Sequence, residues 1–320
     1  MIPRSTSWRS VLRCPACHGS LPWGEEILAC GCGATYPVIA GIPFLLPAAK
    51  NVSPSAGERL RARADDGARP IKAGESFDDF FFSVPFPKLD RRDPQWRFLA
   101  RAAEHTRRGI PDGARVIDIG AGDARYRSVL DHADYTAVDF AQLEGDSDFS
   151  GLDLVGDALD LPVVDGSFDA AIHFAVMEHV PDPFQAAREI FRVLRPGGRC
   201  YCFLPLVRPE HMAPYDFFRY TRYGARAVFE RAGLVVERIE PSNGSLWTAV
   251  NALYHEGATT PLRRFGRRSP AGIGLSLAWR AAVWPLRWFG RLSDGWFDRT
   301  FPIYFFLVAD KPASASTVSA

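Results

Sequence analysis

Short apolar runs alternate with segments of helical periodicity along most of the chain after residue 93. Residues 94–108, 183–194 and 222–232 space their apolar positions as amphipathic helices do. The apolar runs are RVIDIG, YTAVDF, FDAAIHFAV and GRCYCFLP, and LVVERIE and IYFFLVAD follow later. Strands that alternate with helices indicate βαβ units, so the pattern predicts an α/β fold with a doubly wound, mostly parallel sheet.

The beginning of the chain has a different pattern. Two brief apolar runs flank turns that carry cysteines, which predicts a small β module over 10–47. Ala, Arg, Asp, Gly and Pro without apolar periodicity predict a linker over 48–73. The main domain then covers 74–310, and small polar residues predict a disordered tail over 311–320.

Composition narrows the classes to which the chain can belong. Its 320 residues are 47% hydrophobic and 23% charged, and the formal net charge is +1. Such bulk electrostatics favour neither a nucleic acid nor an acidic substrate, so any basic surface must be local. We find no leader sequence and no apolar stretch near the ~18 residues of a membrane span, and therefore expect a cytoplasmic location.

Six cysteines fall into three close pairs, Cys14/Cys17, Cys30/Cys32 and Cys200/Cys202. In a reducing cytosol, CxxC near CxC indicates metal ligation rather than disulfides. The four thiolates on the two N-terminal turns can enclose a structural tetrahedral zinc, and metal would stabilise so short a module. Cys200 and Cys202 lie two apart on a predicted strand, so they face the same way and are expected to be buried core thiols.

An apolar strand, residues 116–119, runs directly into a Gly-Ala-Gly turn at residues 120–122 and then a helix. Glycine allows a tight turn and the close approach of a ligand at the edge where doubly wound folds bind ligands. Asp139 ends the next strand, where its carboxylate can accept the protons of both ribose hydroxyls. Later segments read GDALDLP at 156–162 and FDAAI at 168–172. The alternatives are a tight connection with solvated aspartates and a dinucleotide dehydrogenase, which the missing third glycine disfavours.

This ordered series resembles the class I S-adenosylmethionine-dependent methyltransferases over roughly residues 77–310. The similarity is closest to a branch that carries GDA-x-x-LP, FD and E-H-V and includes quinone and small-metabolite methyltransferases. The resemblance implies a Rossmann-like sheet of seven strands and S-adenosylmethionine as the cofactor. The residues that it places around this cofactor, from methionine end and sulfonium to ribose and adenine, are Asp118, Gly120, Gly122, Phe174, Asp139, Asp157 and Ala158.

Two segments contain catalytic candidates. The donor methyl group is already activated, so a general base is needed only for a poorly nucleophilic acceptor. His179 of the E-H pair has a near-neutral intrinsic pKa, although the occurrence of this pair with many substrates favours a structural or cofactor-side role. Tyr215, Asp216 and Arg219 lie in the segment 211–221 after the fifth predicted strand, which resembles D-F-x-R-(F/Y)-T of bacterial methyltransferases linked to surface-polysaccharide or lipid metabolism. The resemblance implies that this segment lines the acceptor site. The alternative is a helix start capped by Thr221, with the neighbouring aromatic residues in the core.

The cysteine module resembles the small zinc-ribbon proteins that activate tRNA and translation-factor methyltransferases. The matching segments are C-P-x-C-x-G-x-L at 14–21 and C-G-A-x-Y-P-V-x-x-G-I-P-x-L-L at 32–46, and strands are expected around 26–29 and 36–40. The second cysteine pair departs from the family's CxxC. A fused ribbon could hold RNA, as in ribosomal-RNA guanine methyltransferases, or buttress the catalytic domain. Buttressing is favoured by the apolar exit from the module, which contains Tyr36, Ile42, Phe44, Leu45 and Leu46.

Residues 261–292 form a basic amphipathic insertion before the last strand. Arg280, Arg287 and Arg291 share one helical face, and the opposite face carries Leu275, Trp279, Ala282, Leu286 and Phe289. This composition is typical of an interfacial membrane helix, although Pro285 argues against an unbroken helix. We expect a helix packed on the core with solvated arginines. Peripheral contact with the inner face of a membrane is the second hypothesis, and contact with RNA is the third.

The leading functional hypothesis is methyl transfer to a small-molecule, glycan or lipid-linked acceptor, without an obligate protein partner. The first alternative is a methyltransferase that uses the ribbon to hold ribosomal or transfer RNA. Near-neutral charge and the lack of an N-P-P-(Y/F) motif after the fourth strand disfavour it. The second alternative is a non-catalytic scaffold of methyltransferase fold, which the intact cofactor motifs disfavour.

Overall fold

One ten-stranded sheet organises the residues that the computed structural model describes, namely 4–47, 70–83, 85, 90–141 and 149–313. Most of the predicted linker (48–73) and of the predicted tail (311–320) lies outside these ranges. The strands are β1 (Ile27–Ala29), β2 (Thr35–Ile39), β3 (Ile42–Leu45), β4 (Arg115–Ile119), β5 (Asp134–Asp139), β6 (Leu154–Gly156), β7 (Phe168–Phe174), β8 (Leu194–Pro205), β9 (Val235–Pro241) and β10 (Tyr304–Asp310). Their order across the sheet is β1-β2-β3-β6-β5-β4-β7-β8-β10-β9.

Strands β4 to β10 form the doubly wound part of the sheet. β4 pairs in parallel with β5 and β7, β5 with β6, and β7 with β8, whereas β10 is antiparallel to both β8 and β9. Successive residues alternate between two buried clusters, so that Val116 joins one and Ile117 the other. Burial on both faces explains the continuous apolar runs. The predicted α/β class with a Rossmann-like, mostly parallel sheet of seven strands is confirmed.

Helices cover both faces of this sheet. α1 (Phe77–Ser83) and α2 (Pro94–Gly109) pack on one face, and α3 (Pro183–Val193) and α4 (Arg222–Arg231) pack on the other. The three helices that the periodicity predicts are therefore confirmed as α2, α3 and α4. Their N-caps, including the expected cap on α4, are side chains that accept a backbone N–H of the first turn, and they are Asp93, Asp182 and Thr221.

The N-terminal module continues the sheet. Strand β3, which the sequence pattern does not predict, pairs in parallel with the short strand β6 and places Phe44 opposite Val155. Phe44 and Leu45 are buried there. Arg13 adds an ion pair with Asp160 of the doubly wound part. The apolar exit of the module is thus an added strand, which agrees with buttressing because main-chain pairing and side-chain burial both fasten it to the sheet.

Two long helices, α5 (Ser245–Phe265) and α6 (Pro270–Leu292), form a hairpin between β9 and β10. The hairpin begins earlier than the predicted insertion at 261–292, and α6 continues through Pro285. The residues that α6 buries are mainly small, namely Gly272, Ser276, Val283 and Gly290. Small side chains let the two helices approach each other closely, and the larger apolar side chains of α6 remain outside the contact.

The expected orientation of α6, with apolar residues on the core and arginines in solvent, is wrong for Arg287 and Arg291, whereas Arg280 is exposed as expected. Arg287 lies 3.2 Å from a carboxylate oxygen of Asp93, and Arg291 lies 2.6 Å from one of Asp90. The opposite, apolar face is exposed, as at Leu275. The sequence shows that the helix has two faces, but it does not show which face finds partners, because Asp90 and Asp93 are distant in sequence.

Candidate functional site

Two adjoining cavities open at the carboxyl ends of β4, β5 and β7. The smaller, about 340 Å³, extends from the turn after β4 to the ends of β5 and β6. The larger, about 600 Å³, extends from the same turn toward α2, β8 and β10. Gly120, Gly122, Ala175 and Met212 line both, so the cavities form one continuous cleft. Ligands of doubly wound folds bind at this edge of the sheet.

The turn after β4 is shaped by its two glycines. Gly120 has a φ of +77°, and a Cβ added to it would lie 2.4 Å from Cγ1 of Val176. Gly122 also has positive φ, but a Cβ there would meet nothing within 4 Å and would project into the cleft. The backbone of the turn can therefore approach a bound ligand closely.

The same turn fixes the carboxylate at the end of β5. Gly122 donates its backbone N–H to Asp139 Oδ2 at 2.9 Å, and Ala141 donates its N–H to Oδ1 at 2.8 Å. Burial raises the pKa of Asp139, and these N–H donors oppose that shift. The remaining lone pairs of both oxygens can accept further hydrogen bonds from a ligand in the smaller cavity.

Every predicted cofactor-binding residue lines the cleft. The smaller cavity has Asp139, Asp157 and Ala158, the larger has Asp118 and Phe174, and both have Gly120 and Gly122. Asp157 accepts the backbone N–H of Leu159 at 2.9 Å. Asp118 is buried and accepts the hydroxyl of Tyr135, and burial raises the pKa of Asp118 to about 7.

The end of β7, which carries the predicted cofactor residue Phe174, divides between cleft and core. Phe174 faces the larger cavity, and the ring of Tyr126 meets it edge-on with centroids 4.8 Å apart. His173 lines neither cavity, and its Nδ1 donates to the carbonyl of Ile119 at 2.8 Å, which joins β7 to β4. Burial lowers the pKa of His173 to about 4, so this ring is a neutral structural group.

His179 and Tyr215 form one edge of the smaller cavity. Nδ1 of His179 donates to the Tyr215 carbonyl at 2.5 Å, and partial burial lowers the pKa of His179. His211 is not among the predicted catalytic residues, and its ring centroid lies 4.7 Å from that of His179. One ligand atom each of Glu178, His179 and His211 lies within 4.8 Å of the others. This edge therefore gathers acid–base groups that could also ligate a metal.

Asp216 and Arg219 lie behind this edge and line neither cavity. Arg219 binds both carboxylate oxygens of Asp216, at 2.6 and 2.7 Å, and the backbone N–H of His211 donates to Asp216 at 2.9 Å. The Arg219 guanidinium holds the pKa of Asp216 well below its usual range. The pair fixes the loop that carries His211 and Tyr215. Of the aromatic residues expected in the core of this segment, Tyr220 is buried, whereas Phe217 and Phe218 are exposed.

Several cleft residues carry no sequence signal. The larger cavity is lined by Trp96 from α2, Phe203 from β8, Tyr304 from β10 and Met212 from the loop after β8. Trp96, Phe203 and Tyr304 come from elements far apart in the chain and belong to no motif, whereas Met212 lies in the 211–221 segment that the sequence singles out. The prediction of α2 as an amphipathic helix locates Trp96 in an element, but only the tertiary fold brings it to the cleft.

The four N-terminal cysteines converge as predicted, with one sulfur from each within 4.8 Å of the others. Cys14 and Cys32 sulfurs are 3.9 Å apart, and Cys17 and Cys30 sulfurs are 3.5 Å apart. Tetrahedral zinc with sulfur ligands at about 2.3 Å needs sulfur–sulfur separations of about 3.8 Å, so the residues fit this metal. Cys200 and Cys202 are fully buried, as predicted.

Known proteins resemble the part of the chain that builds the cleft. A family model described as a methyltransferase domain matches residues 117–202. The ubiquinone/menaquinone biosynthesis C-methyltransferase UbiE of Desulfotalea psychrophila is 31% identical over 145 residues, 42% of this chain and 56% of that protein. The demethylmenaquinone methyltransferase of Renibacterium salmoninarum is 31% identical over 188 residues, 52% of this chain and 71% of that protein. The chain thus spans between 56% and 71% of the length of these two relatives.

A solved structure resembles the chain more distantly. Phosphoethanolamine N-methyltransferase 2 of Haemonchus contortus, in complex with S-adenosyl-L-methionine, is 18% identical. The match covers 76% of this chain and 62% of that one, with a TM-score of 0.40. Among the helices in the described ranges, none has the length and apolar character that crossing a bilayer requires.

Proposed function

Since the chain belongs to the class I S-adenosylmethionine-dependent methyltransferases, we propose that it transfers a methyl group from S-adenosylmethionine to a small-molecule, glycan or lipid-linked acceptor. The observation that carries this proposal is the cleft beside the Gly-Ala-Gly turn, with the fixed carboxylate of Asp139 in its wall. S-adenosylmethionine supplies an activated methyl group when it is bound.

The proposed donor site follows the two cavities. Asp139 accepts the ribose hydroxyls, and Asp157 and Ala158 contact the adenine in the smaller cavity. Asp118, with the glycine turn and Phe174, holds the methionine end toward the larger cavity. This arrangement directs the sulfonium to the junction of the two cavities, where Met212 and Ala175 lie.

The proposed acceptor side is the edge formed by His179 and Tyr215. His179 is the general base where the acceptor is a hydroxyl, because its Nδ1 is fixed by the Tyr215 carbonyl and its lowered pKa keeps it neutral. Asp216 and Arg219 are positioning residues, because they bind each other and thereby hold this loop in place.

A lipid-linked acceptor is favoured by the hairpin of α5 and α6. Its outer face exposes apolar side chains, and we propose that residues 261–292 bring the enzyme to the inner face of a membrane. The relatives named above act, by their names, in ubiquinone and menaquinone biosynthesis or on demethylmenaquinone. RNA is the second candidate, favoured by the exposed arginines of the last turn of α5 and of the connection to α6, which are Arg263, Arg264, Arg267 and Arg268.

The proposed role of the cysteine cluster is structural. Zinc held by Cys14, Cys17, Cys30 and Cys32 would be closed to substrate and would stabilise the module that adds β3 to the sheet. It would take no part in methyl transfer.

Incubation with donor labelled in the methyl group, and with membrane lipid, soluble metabolites or total RNA as acceptor fractions, tests the proposed function. We expect label in the lipid or soluble fraction, reduced at least about tenfold by Asp139→Asn and, where the acceptor is a hydroxyl, at least about tenfold by His179→Gln. Label confined to RNA would transfer the assignment to the second candidate. No label in any fraction, from a protein that binds the donor, would contradict turnover.

A further inference from the structure

A second cavity lies at the foot of the helical hairpin, apart from the donor cleft. It measures about 700 Å³ and lies between the segment that leads into α2 and the outer half of α6. One acidic residue lines it, Asp90, together with five arginines, which are Arg91, Arg92, Arg97, Arg287 and Arg291. Arg91, Arg287 and Arg291 are paired with carboxylates, so Arg92 and Arg97, which form no ion pair among the described residues, carry the uncompensated positive charge of the cavity.

The arginines from α6 are held in place before any ligand arrives. Arg287 lies over the ring of Tyr254 at 4.4 Å and pairs with Asp93 at 3.2 Å, and Arg291 pairs with Asp90 at 2.6 Å. These contacts fix both side chains in the cavity wall, and the guanidinium groups of Arg92 and Arg97 are left to meet an oxyanion.

Tryptophans mark the mouth of this cavity. Trp284 and Trp288 line it and are one helical turn apart on α6, and their side chains are 62% and 55% exposed. Indole rings favour the headgroup level of a bilayer, with the apolar ring toward the chains and the N–H toward water. A bilayer that takes up these rings would place its phosphate groups at the depth of the arginines.

The surrounding surface fits a bilayer better than a soluble partner. The hairpin carries seven arginines and a single acidic residue, Glu256. Its exposed large apolar side chains are Leu253, Phe265, Ile273, Leu275, Leu277, Trp279, Trp284, Leu286, Trp288, Phe289 and Leu292. Exposure of so many large apolar side chains on one hairpin, combined with its basic charge, matches an anionic membrane.

We infer that this arginine-lined cavity binds the phosphate group of a membrane lipid. The same first turns of α2 serve both sites, since Trp96 lines the donor cleft and Arg97 lines the basic cavity. A lipid anchored by its phosphate is therefore held beside the cleft. That such a lipid is the methyl acceptor, or lies next to it, rests on the proposed function, whereas the binding of its phosphate group does not.

The test uses the full chain with Arg92→Gln and Arg97→Gln combined, because neither side chain forms an ion pair among the described residues. Arg226→Gln with Arg238→Gln is the control, which removes the same charge on α4 and β9, away from the cavity. The probes are inorganic pyrophosphate in calorimetry and cosedimentation with phosphatidylcholine vesicles that contain or lack phosphatidic acid. S-adenosylhomocysteine binding is measured on each variant.

We expect the cavity variant to bind pyrophosphate and phosphatidic acid vesicles about tenfold more weakly than the control variant, with S-adenosylhomocysteine affinity unchanged. Equal binding by the two variants, or indifference of the parent to phosphatidic acid, would overturn the inference. Pyrophosphate binding without vesicle binding would also overturn it, because it would assign the cavity to a soluble phosphate. Failure of the parent protein to bind S-adenosylhomocysteine would instead refute the proposed function.

Discussion

Individual residues of the cleft have separable physical roles. Gly120 adopts a positive φ and has no side chain, which the site requires because Val176 occupies the space where a Cβ would lie. Asp139 supplies charge and two acceptor oxygens at a position that backbone N–H groups fix. His173, one residue before the cavity-lining Phe174, supplies only a hydrogen bond between strands. Adjacent residues of one motif therefore have different roles, one structural and one in the wall of the cleft.

Replacing each glycine of the turn separates conformational strain from steric conflict. Gly122→Ala should lose about 1–2 kcal/mol of stability, from the left-handed conformation alone. Gly120→Ala should lose about 1–3 kcal/mol more, because its Cβ would collide with Val176. Urea unfolding of both variants measures the difference. Equal losses would contradict the close approach of Val176 to the turn.

The buried histidine should make stability depend on pH. The pKa of His173 is lowered in the fold to about 4 from an ordinary value of 6.5, so its contribution is present above pH 6.5 and is lost as the pH falls toward 4. His173→Asn, which keeps an N–H donor, should lose less stability than the parent between neutral pH and about pH 5. Urea unfolding at the two pH values tests this, and equal losses would refute it.

At the scale of elements, the N-terminal module and the helical hairpin are attached in opposite ways. The module adds β3 to the sheet and buries its apolar exit against β6. The hairpin turns Arg287 and Arg291 to the body and leaves large apolar side chains exposed. The first attachment stabilises the catalytic part, whereas the second leaves a surface free for a partner.

Zinc should be bound by the module alone. We expect about one zinc per purified chain, lost in Cys32→Ser because a closed site needs all four thiolates. Cys200→Ala removes a buried thiol outside the cluster and should keep the metal. Elemental analysis of the two variants decides the matter. A metal-free parent, or loss of zinc from Cys200→Ala, would contradict the site.

The exposed tryptophans of α6 should govern attachment to membranes. Trp284→Ser with Trp288→Ser should lower partitioning onto anionic vesicles at least about tenfold, since both rings would otherwise enter the interface. Thermal stability should be nearly unchanged because the rings contribute little to the core. Tyr223→Ser, an exposed aromatic on α4, is the control for flotation. Unchanged partitioning of the tryptophan variant would rule out this face as the contact.

The sequence predicts the helices and strands that are determined by residues close together in the chain. Periodicity finds α2, α3 and α4, and the turn chemistry of Asp93, Asp182 and Thr221 marks where they begin. It does not predict β3 or β6, because their few apolar residues show no alternation and form strands only by pairing with each other and with β5. It also reverses the faces of α6, since the arginines are satisfied by carboxylates nearly two hundred residues away.

At the scale of the whole molecule, one sheet connects all the sites. The cysteine cluster lies at the β1 edge, the cleft lies at the carboxyl ends of the central strands, and the hairpin leaves between the last two strands. Tyr304, at the start of β10, lines the cleft next to the end of the hairpin segment. The order of motifs along the chain predicts the cleft from Asp118 to Asp157, but its acceptor side, with His211 and Met212, depends on a loop that only the fold positions.

The central claim is that the cleft binds the methyl donor through Asp139, and calorimetry with S-adenosylhomocysteine tests it most directly. Asp165→Asn is the matched control, because it makes the same chemical change at an exposed aspartate outside the cleft. We predict that the parent and Asp165→Asn bind equally, with one site per chain, and that Asp139→Asn binds at least about tenfold more weakly. A parent that does not bind S-adenosylhomocysteine, or an Asp139→Asn variant that binds it as tightly as the parent, would contradict the account.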